Sequence, residues 1–189
     1  KGIIYVGNHG AEIHLDDQRL YTHPQANRLR SQLSEVVDEI RDQFPELYYE
    51  HKGLSVSVHY RGHPDPERIL SVLFPLAVRI ARSKGMGLIS GKSVVDIRPN
   101  SISKGEAVSY LAKNWHLRSA IYLGDDLTDV DAFKTIASMT KTGEFKGISV
   151  GVLSDETPNQ VVDSADIIVE ETSGVTDLLM YLNQELSLK

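Results

Sequence analysis

Three carboxylates crowd one short stretch, Gly124-Asp125-Asp126-Leu127-Thr128-Asp129, directly after the apolar run 119–123. Hard oxygen donors suit a divalent cation such as Mg2+, which takes one or two carboxylates together with substrate phosphate. Asp125 and Asp129 stand four residues apart across a turn, so both can point into one site. The same stretch also admits ordinary capping, with Thr128 as N-cap, Asp131 three residues later and aspartates favoured by the helix dipole. Upstream, Lys104 opens a helix that precedes the acidic strand. A cation there can offset phosphate and carboxylate charge, or it can be a solvated surface lysine.

A second set of polar residues lies on strands. Successive strand residues face opposite ways. Leu54, Val56, Val58 and Tyr60 therefore share one face, and Ser55, Ser57, His59 and Arg61 the other. Glu50 and Lys52 are in phase, and so are Lys92, Asp96 and Arg98, with Val95 and Ile97 opposite. Such faces offer both the donors and the acceptors that sugar hydroxyls need. A solvated antiparallel sheet face gives the same pattern. For Arg61 and Arg98, contact with a polar ligand and plain salt bridging are equally open. His9, in the Asn8-His9-Gly10 turn, is a candidate hydrogen-bond donor. The other histidines show no metal-ligand spacing.

The elements that must hold these residues follow from apolar periodicity. The expected order is a strand over 2–6, a helix over 24–44, strands over 47–52 and 54–61, and a helix capped by Asp65 with Pro66 in its first position. That helix has the stripe Ile69, Val72, Leu73, Leu76, Ala77 and Ile80, and Pro75 is expected to kink or shorten it. One strand near 87–98 closes this α+β block. Beyond Pro99 come a helix over 104–115 with Ser103 and Glu106 as a capping box, a strand over 119–123, a helix after Thr128, strands near 147–152 and 166–169, and a last helix. Strands alternating with helices predict a parallel α/β sheet, whose sites lie at the carboxyl ends of strands.

Composition narrows the class. The 189 residues are 41% hydrophobic with a formal charge of −6, enough for a core and without general attraction to nucleic acid or an anionic membrane. There is no cysteine, which excludes disulfides, thiolate metal sites and a cysteine nucleophile, and fits a cytoplasmic setting. No apolar run reaches the length of a membrane span.

The lysine-led helix Ser103-Lys104-Gly105-Glu106-Ala107, followed by a strand ending in Gly124 to Asp129, resembles the third and fourth motifs of the haloacid dehalogenase (HAD) phosphatases. Further stretches are similar to one branch of them. They are Gly7-Asn8-His9-Gly10-Ala11-Glu12, the hairpin Glu50 to Arg61, and Gly91-Lys92-Ser93-Val94-Val95-Asp96-Ile97-Arg98-Pro99. Together they resemble the trehalose-6-phosphate phosphatases, over nearly the whole chain and in that family's order.

The resemblance implies an α/β fold, a HAD-like parallel-sheet core (1–22 and 99–189) with an inserted α+β cap of the C2B type (23–98). It implies a Mg2+-dependent phosphatase acting on a small sugar phosphate through an aspartyl-phosphate. Asp125 and Asp129 would serve the metal, Asp129 directly or through water, and Lys104 would hold the nucleophile and phosphate. Glu50 and Lys52 match the family's sugar-contacting Glu-x-Lys. Lys92 and Asp96 match its Lys-x-x-x-Glu, with Asp96 a departure whose shorter side chain reaches less far. A trehalose-phosphate synthase domain or protein is the expected partner.

The family's nucleophile segment, Asp-x-Asp-Gly-Thr, does not occur among these residues; the only Asp-x-Asp is Asp129-Val130-Asp131. The expectation is a core without its first strand, an open apolar sheet edge, and a chain that is one piece of a longer polypeptide. The competing expectations are a non-catalytic sugar-phosphate-binding or regulatory domain, and a phosphatase for another disaccharide or sugar phosphate.

Overall fold

Short neighbouring strands commonly pair antiparallel, and the first three strands do so. The computed structural model describes residues 3–15, 19–91, 93–143 and 145–187. The chain divides into two compact units, Lys1–Ile102 and Ser103–Lys189. In the first, β1 (Tyr5–Gly7), β2 (Glu12–Leu15) and β3 (Arg19–Thr22) form a sheet in that order. Only the first of these strands was expected. The other two are four residues long and carry Glu12, His14 and Arg19, too short and too charged for alternation to stand out. Residues 1–22, which the sequence reading joins to 99–189, lie with the first unit.

The rest of this unit is a sheet covered by two helices. Helix α1 (Ala26–Arg41) buries Leu29, Leu33, Val36, Val37 and Ile40, a stripe at helical spacing. Strands β4 (Tyr48–His51) and β5 (Val56–His59) follow, then helix α2 (Pro66–Ser83). Asp65 caps α2 by accepting the Arg68 N–H at 3.0 Å, with Pro66 in the first turn, as expected. Pro75 neither ends nor shortens the helix. Pro75 and Ser71 are both exposed, so the Ser71 carbonyl that loses its helical donor can turn to water. Val72 also departs from the expected stripe and is exposed, while Leu73, Ala77 and Ile80 are buried.

The single strand expected near 87–98 is a hairpin, β6 (Met86–Gly91) and β7 (Val94–Pro99). Ser93 takes φ 61° at its turn, a left-handed conformation that serine does not advertise. The sheet order is β4-β5-β7-β6, antiparallel throughout. Its apolar face, with Val56, Val58, Val95 and Ile97, packs in one core with α1 and α2.

The second unit alternates helix and strand. Its elements are α3 (Lys104–Asn114), β8 (Ser119–Gly124), α4 (Asp129–Lys141), β9 (Lys146–Leu153), α5 (Asn159–Ser164), β10 (Ile167–Glu170) and α6 (Glu171–Ser187). The strands pair parallel in the order β10-β9-β8, as the alternation predicts. The one-and-a-half turns of α5 are too short for periodicity to reveal. One sheet face packs Ala120 and Tyr122 against Ile136 and Phe133 of α4. On the other, Ile121, Ile148 and Ile167 are 41%, 41% and 43% exposed.

Candidate functional site

In the second unit the acidic stretch is built around a carboxylate that folds back over the end of β8. Gly124 permits this, because a Cβ there would stand 2.4 Å from both Cβ and Cγ of Asp129. Asp129 is 3% exposed. Its Oδ1 accepts from Lys104 Nζ at 2.7 Å and from Tyr122 Oη at 2.7 Å, and its Oδ2 accepts from the Asp126 N–H at 3.1 Å. Burial pushes its pKa upward most strongly. The hydrogen bonds from Lys104, Tyr122 and Asp126, with the lysine's charge, outweigh that and hold it below the ordinary aspartate value.

Lys104 reaches Asp129 because α3 lies close against α4. A Cβ on Gly105 would stand 2.5 Å from Thr135 Oγ1 and 2.7 Å from the Asp131 carbonyl oxygen. Ser103 fixes the start of α3 by accepting the Glu106 N–H at 3.2 Å, which makes Lys104 its first residue.

Capping is real here but falls on a different residue. Asp126, not Thr128, holds the turn. Its Oδ1 accepts the Leu127 N–H at 2.7 Å and its Oδ2 accepts the Thr128 hydroxyl at 3.0 Å, while Thr128 makes no side-chain cap. Asp125 is left exposed, with no hydrogen bond or ion pair among the described residues. Tyr122 was not anticipated. Burial first, and then Asp129, raise its pKa, and Phe133 meets its ring edge-on at 5.9 Å. Alternation back from Gly124 puts Tyr122 on the α4 side of β8, a signal that could have identified it.

Among the described residues, no three His, Cys, Asp or Glu side chains gather into a cation-binding group. The Asp125 carboxylate nonetheless fits Mg2+, a hard ion that takes few protein ligands alongside phosphate. Both oxygens of Asp129 already have donors. Its carboxylate therefore fits better as an outer support, holding Lys104, than as a direct ligand.

In the first unit, the predicted polar residues gather on the sheet face opposite the helices. Glu50 Oε2 lies 3.0 Å from His59 Nε2 and 3.2 Å from Lys52 Nζ. The His59 and Lys52 hydrogen bonds hold the Glu50 pKa below the ordinary glutamate value. Glu50, Ser57 and Asp96 stand in one cross-strand row, and the Ser57 hydroxyl donates to Asp96 Oδ1. Ser57 is fully buried and Ser55 nearly so, so this face is not solvated throughout. Arg98 shares it, two residues along β7. Arg61 lies past the end of β5 in an exposed turn, outside the row. Lys92 lies outside the described residues. His9 sits in a single helical turn, Asn8–Gly10, where Asn8 and His9 take φ 49° and 57°. That turn abuts the one between β4 and β5, since a Cβ on Gly53 would stand 2.8 Å from Asn8 Nδ2.

Comparison with known proteins gives this arrangement a context. The trehalose-phosphatase family model matches residues 1–172. A trehalose-phosphate phosphatase of Mycobacterium tuberculosis is 34% identical over 145 residues, covering 71% of this chain and 36% of that protein. The chain spans 12% to 39% of the length of the first curated relatives it matches. The crystal structure of a trehalose-6-phosphate phosphatase related protein superposes with a TM-score of 0.64 at 22% identity, covering 96% of this chain and 72% of that one. The C-terminal domain of a Candida albicans trehalose synthase regulatory protein gives 0.68 at 12% identity, covering 89% and 70%. These likenesses show the HAD-like α/β fold expected from the sequence.

Proposed function

The chain belongs to the trehalose-phosphatase family, and from that premise we propose that the polypeptide carrying it hydrolyses trehalose 6-phosphate to trehalose and phosphate. The observation that carries this reading is the Lys104–Asp129 pair, 2.7 Å apart at the end of β8, beside the exposed Asp125. We divide the labour between the two units, with sugar recognition in the first, Lys1–Ile102, and phosphoryl chemistry in the second, Ser103–Lys189.

Lys104 supplies a fixed positive charge for the oxygens of the transferring phosphoryl group. Asp129 holds that ammonium in place, and Tyr122 and the Asp126 N–H hold Asp129. Asp125 presents a free carboxylate to a divalent cation, with Asp129 behind it. When bound, Mg2+ would withdraw charge from the phosphate oxygens. Glu50, Lys52, His59 and Asp96 offer acceptors and donors to sugar hydroxyls, His9 adds one from its turn, and Arg98 and Lys92 add positive charge. The phosphoryl group would pass to an aspartate that these 189 residues do not supply, since Asp-x-Asp-Gly-Thr is absent from them. Covalent catalysis of this kind divides one hard step into two. The compartment is the cytoplasm in this reading, and a trehalose-phosphate synthase domain or protein is the natural partner, making the substrate consumed here.

The test is Asp125→Asn in the full polypeptide. Turnover of trehalose 6-phosphate should fall at least about a hundredfold and lose its response to added Mg2+. Unchanged turnover, or activity indifferent to chelation of the wild type, would remove Asp125 and the cation from the reading. A regulatory, non-catalytic role is the second reading, suggested by the shared fold of the trehalose synthase regulatory protein's C-terminal domain. It predicts tight sugar-phosphate binding with no phosphate release.

A further inference from the structure

Tyr48 is a large apolar side chain that the fold leaves 66% exposed, on the polar face of the first unit's sheet. It is in phase with Glu50 along β4, and it pairs across the strands with His59. The two rings lie 5.4 Å apart at 36°. His59 Nε2 in turn contacts Glu50 Oε2, which contacts Lys52 Nζ. One continuous string therefore runs from an open aromatic face through an imidazole and a carboxylate to an ammonium.

From this juxtaposition we infer that Tyr48 is a specificity-determining contact, an aromatic platform on which a pyranose ring of the substrate lies. The inference rests on the sugar-phosphate reading above and adds a residue to it. A pyranose ring is amphipathic, with C–H groups on its faces and hydroxyls around its rim. A flat aromatic ring suits the first, and the adjacent Glu50, Lys52 and His59 suit the second. Tyrosine combines these demands, with an apolar body and a polar tip. The His59 ring 5.4 Å away restricts where the Tyr48 ring can go, which would lower the cost of binding. An edge strand also favours aromatic residues for packing alone, through cross-strand pairs such as Tyr48 with His59. A purely structural Tyr48 would support the fold and touch no sugar.

The full polypeptide with trehalose 6-phosphate separates the two. Saturation transferred from aromatic protons to the pyranose C–H protons should appear in the wild type and drop sharply in Tyr48→Ala and in Tyr48→Leu, which keeps the bulk without the ring. In steady-state assays Tyr48→Ala should raise KM for trehalose 6-phosphate about tenfold. It should leave kcat, and hydrolysis of p-nitrophenyl phosphate, within about twofold. Tyr48→Phe should behave as wild type. Absence of transfer in the wild type, its persistence in both variants, or equal losses on the two substrates would overturn the platform. Transfer without phosphate release would uphold Tyr48 while removing the hydrolytic reading.

Discussion

Asp129 is buried among Lys104, Tyr122 and the Asp126 N–H, and Asp125 beside it is exposed and, among the described residues, unpaired. Two aspartates of one loop thus stand in opposite settings, one buried and bonded, the other exposed. Removing a partner from a buried charge is expensive, whereas surface substitutions usually change stability by no more than about 0.5 kcal/mol. Lys104→Ala should therefore destabilise the second unit by roughly 3 kcal/mol, and Asp125→Asn by less than about 0.5 kcal/mol, in chemical denaturation. Similar midpoints for the two variants would show that Asp129 does not depend on Lys104. Glu50 gives a pH-dependent counterpart in the first unit. Its folded pKa is depressed, first by the His59 hydrogen bond and then by that of Lys52. Its stabilising contribution is therefore present above the unfolded glutamate value and lost as pH falls through the lower folded value. The Glu50 carboxyl resonance should titrate below the ordinary range in the wild type and move upward in His59→Gln; no movement would mean that His59 does not sustain the charge. Residue types and spacing singled out Asp125 and Asp129, and resemblance added Lys104, Glu50 and Lys52; the structure pairs Lys104 with Asp129 and Lys52 with Glu50. Tyr122 was overlooked because a tyrosine in an apolar strand reads as core, and only the position of Asp129 reveals its hydroxyl's task.

At the scale of elements, helix starts were the most readable features. Asp65-Pro66 and Ser103 with Glu106 cap their helices as their residue types require. Strand turns were less readable, because the β6–β7 reversal passes through Ser93 at φ 61° and not through a glycine or asparagine. The helix is not shortened at Pro75 for a different reason: its local penalty is real, but burial of Leu73, Ala77 and Ile80 continues on either side of it. Close packing of elements is invisible to periodicity altogether. The approach of α3 to α4, which delivers Lys104 to Asp129, depends on Gly105 having no side chain. Gly105→Ala should cost about 1–3 kcal/mol, the usual range for overpacking. It should also lower turnover by drawing Lys104 away from Asp129. A variant with wild-type stability and activity would mean that α3 can shift without moving the lysine.

For the whole molecule, the sequence conveyed the parallel α/β pattern of the second unit and the helix-covered antiparallel sheet of the first. It conveyed less about the N-terminal strands, whose shortness hides their pairing. The two units carry separate groups of polar residues, an acidic strand end and a polar sheet face. In the proposed function the first would serve the phosphoryl group and the second the disaccharide. No helix among the described residues is long and apolar enough to cross a membrane. The most direct measurement is phosphate release by the full polypeptide, with Mg2+ present, from trehalose 6-phosphate, sucrose 6-phosphate and mannosyl-3-phosphoglycerate at equal concentrations. The account predicts the highest kcat/KM for trehalose 6-phosphate, by at least about tenfold. A better rate on either alternative would contradict the substrate, and no release from any of them would contradict the phosphatase.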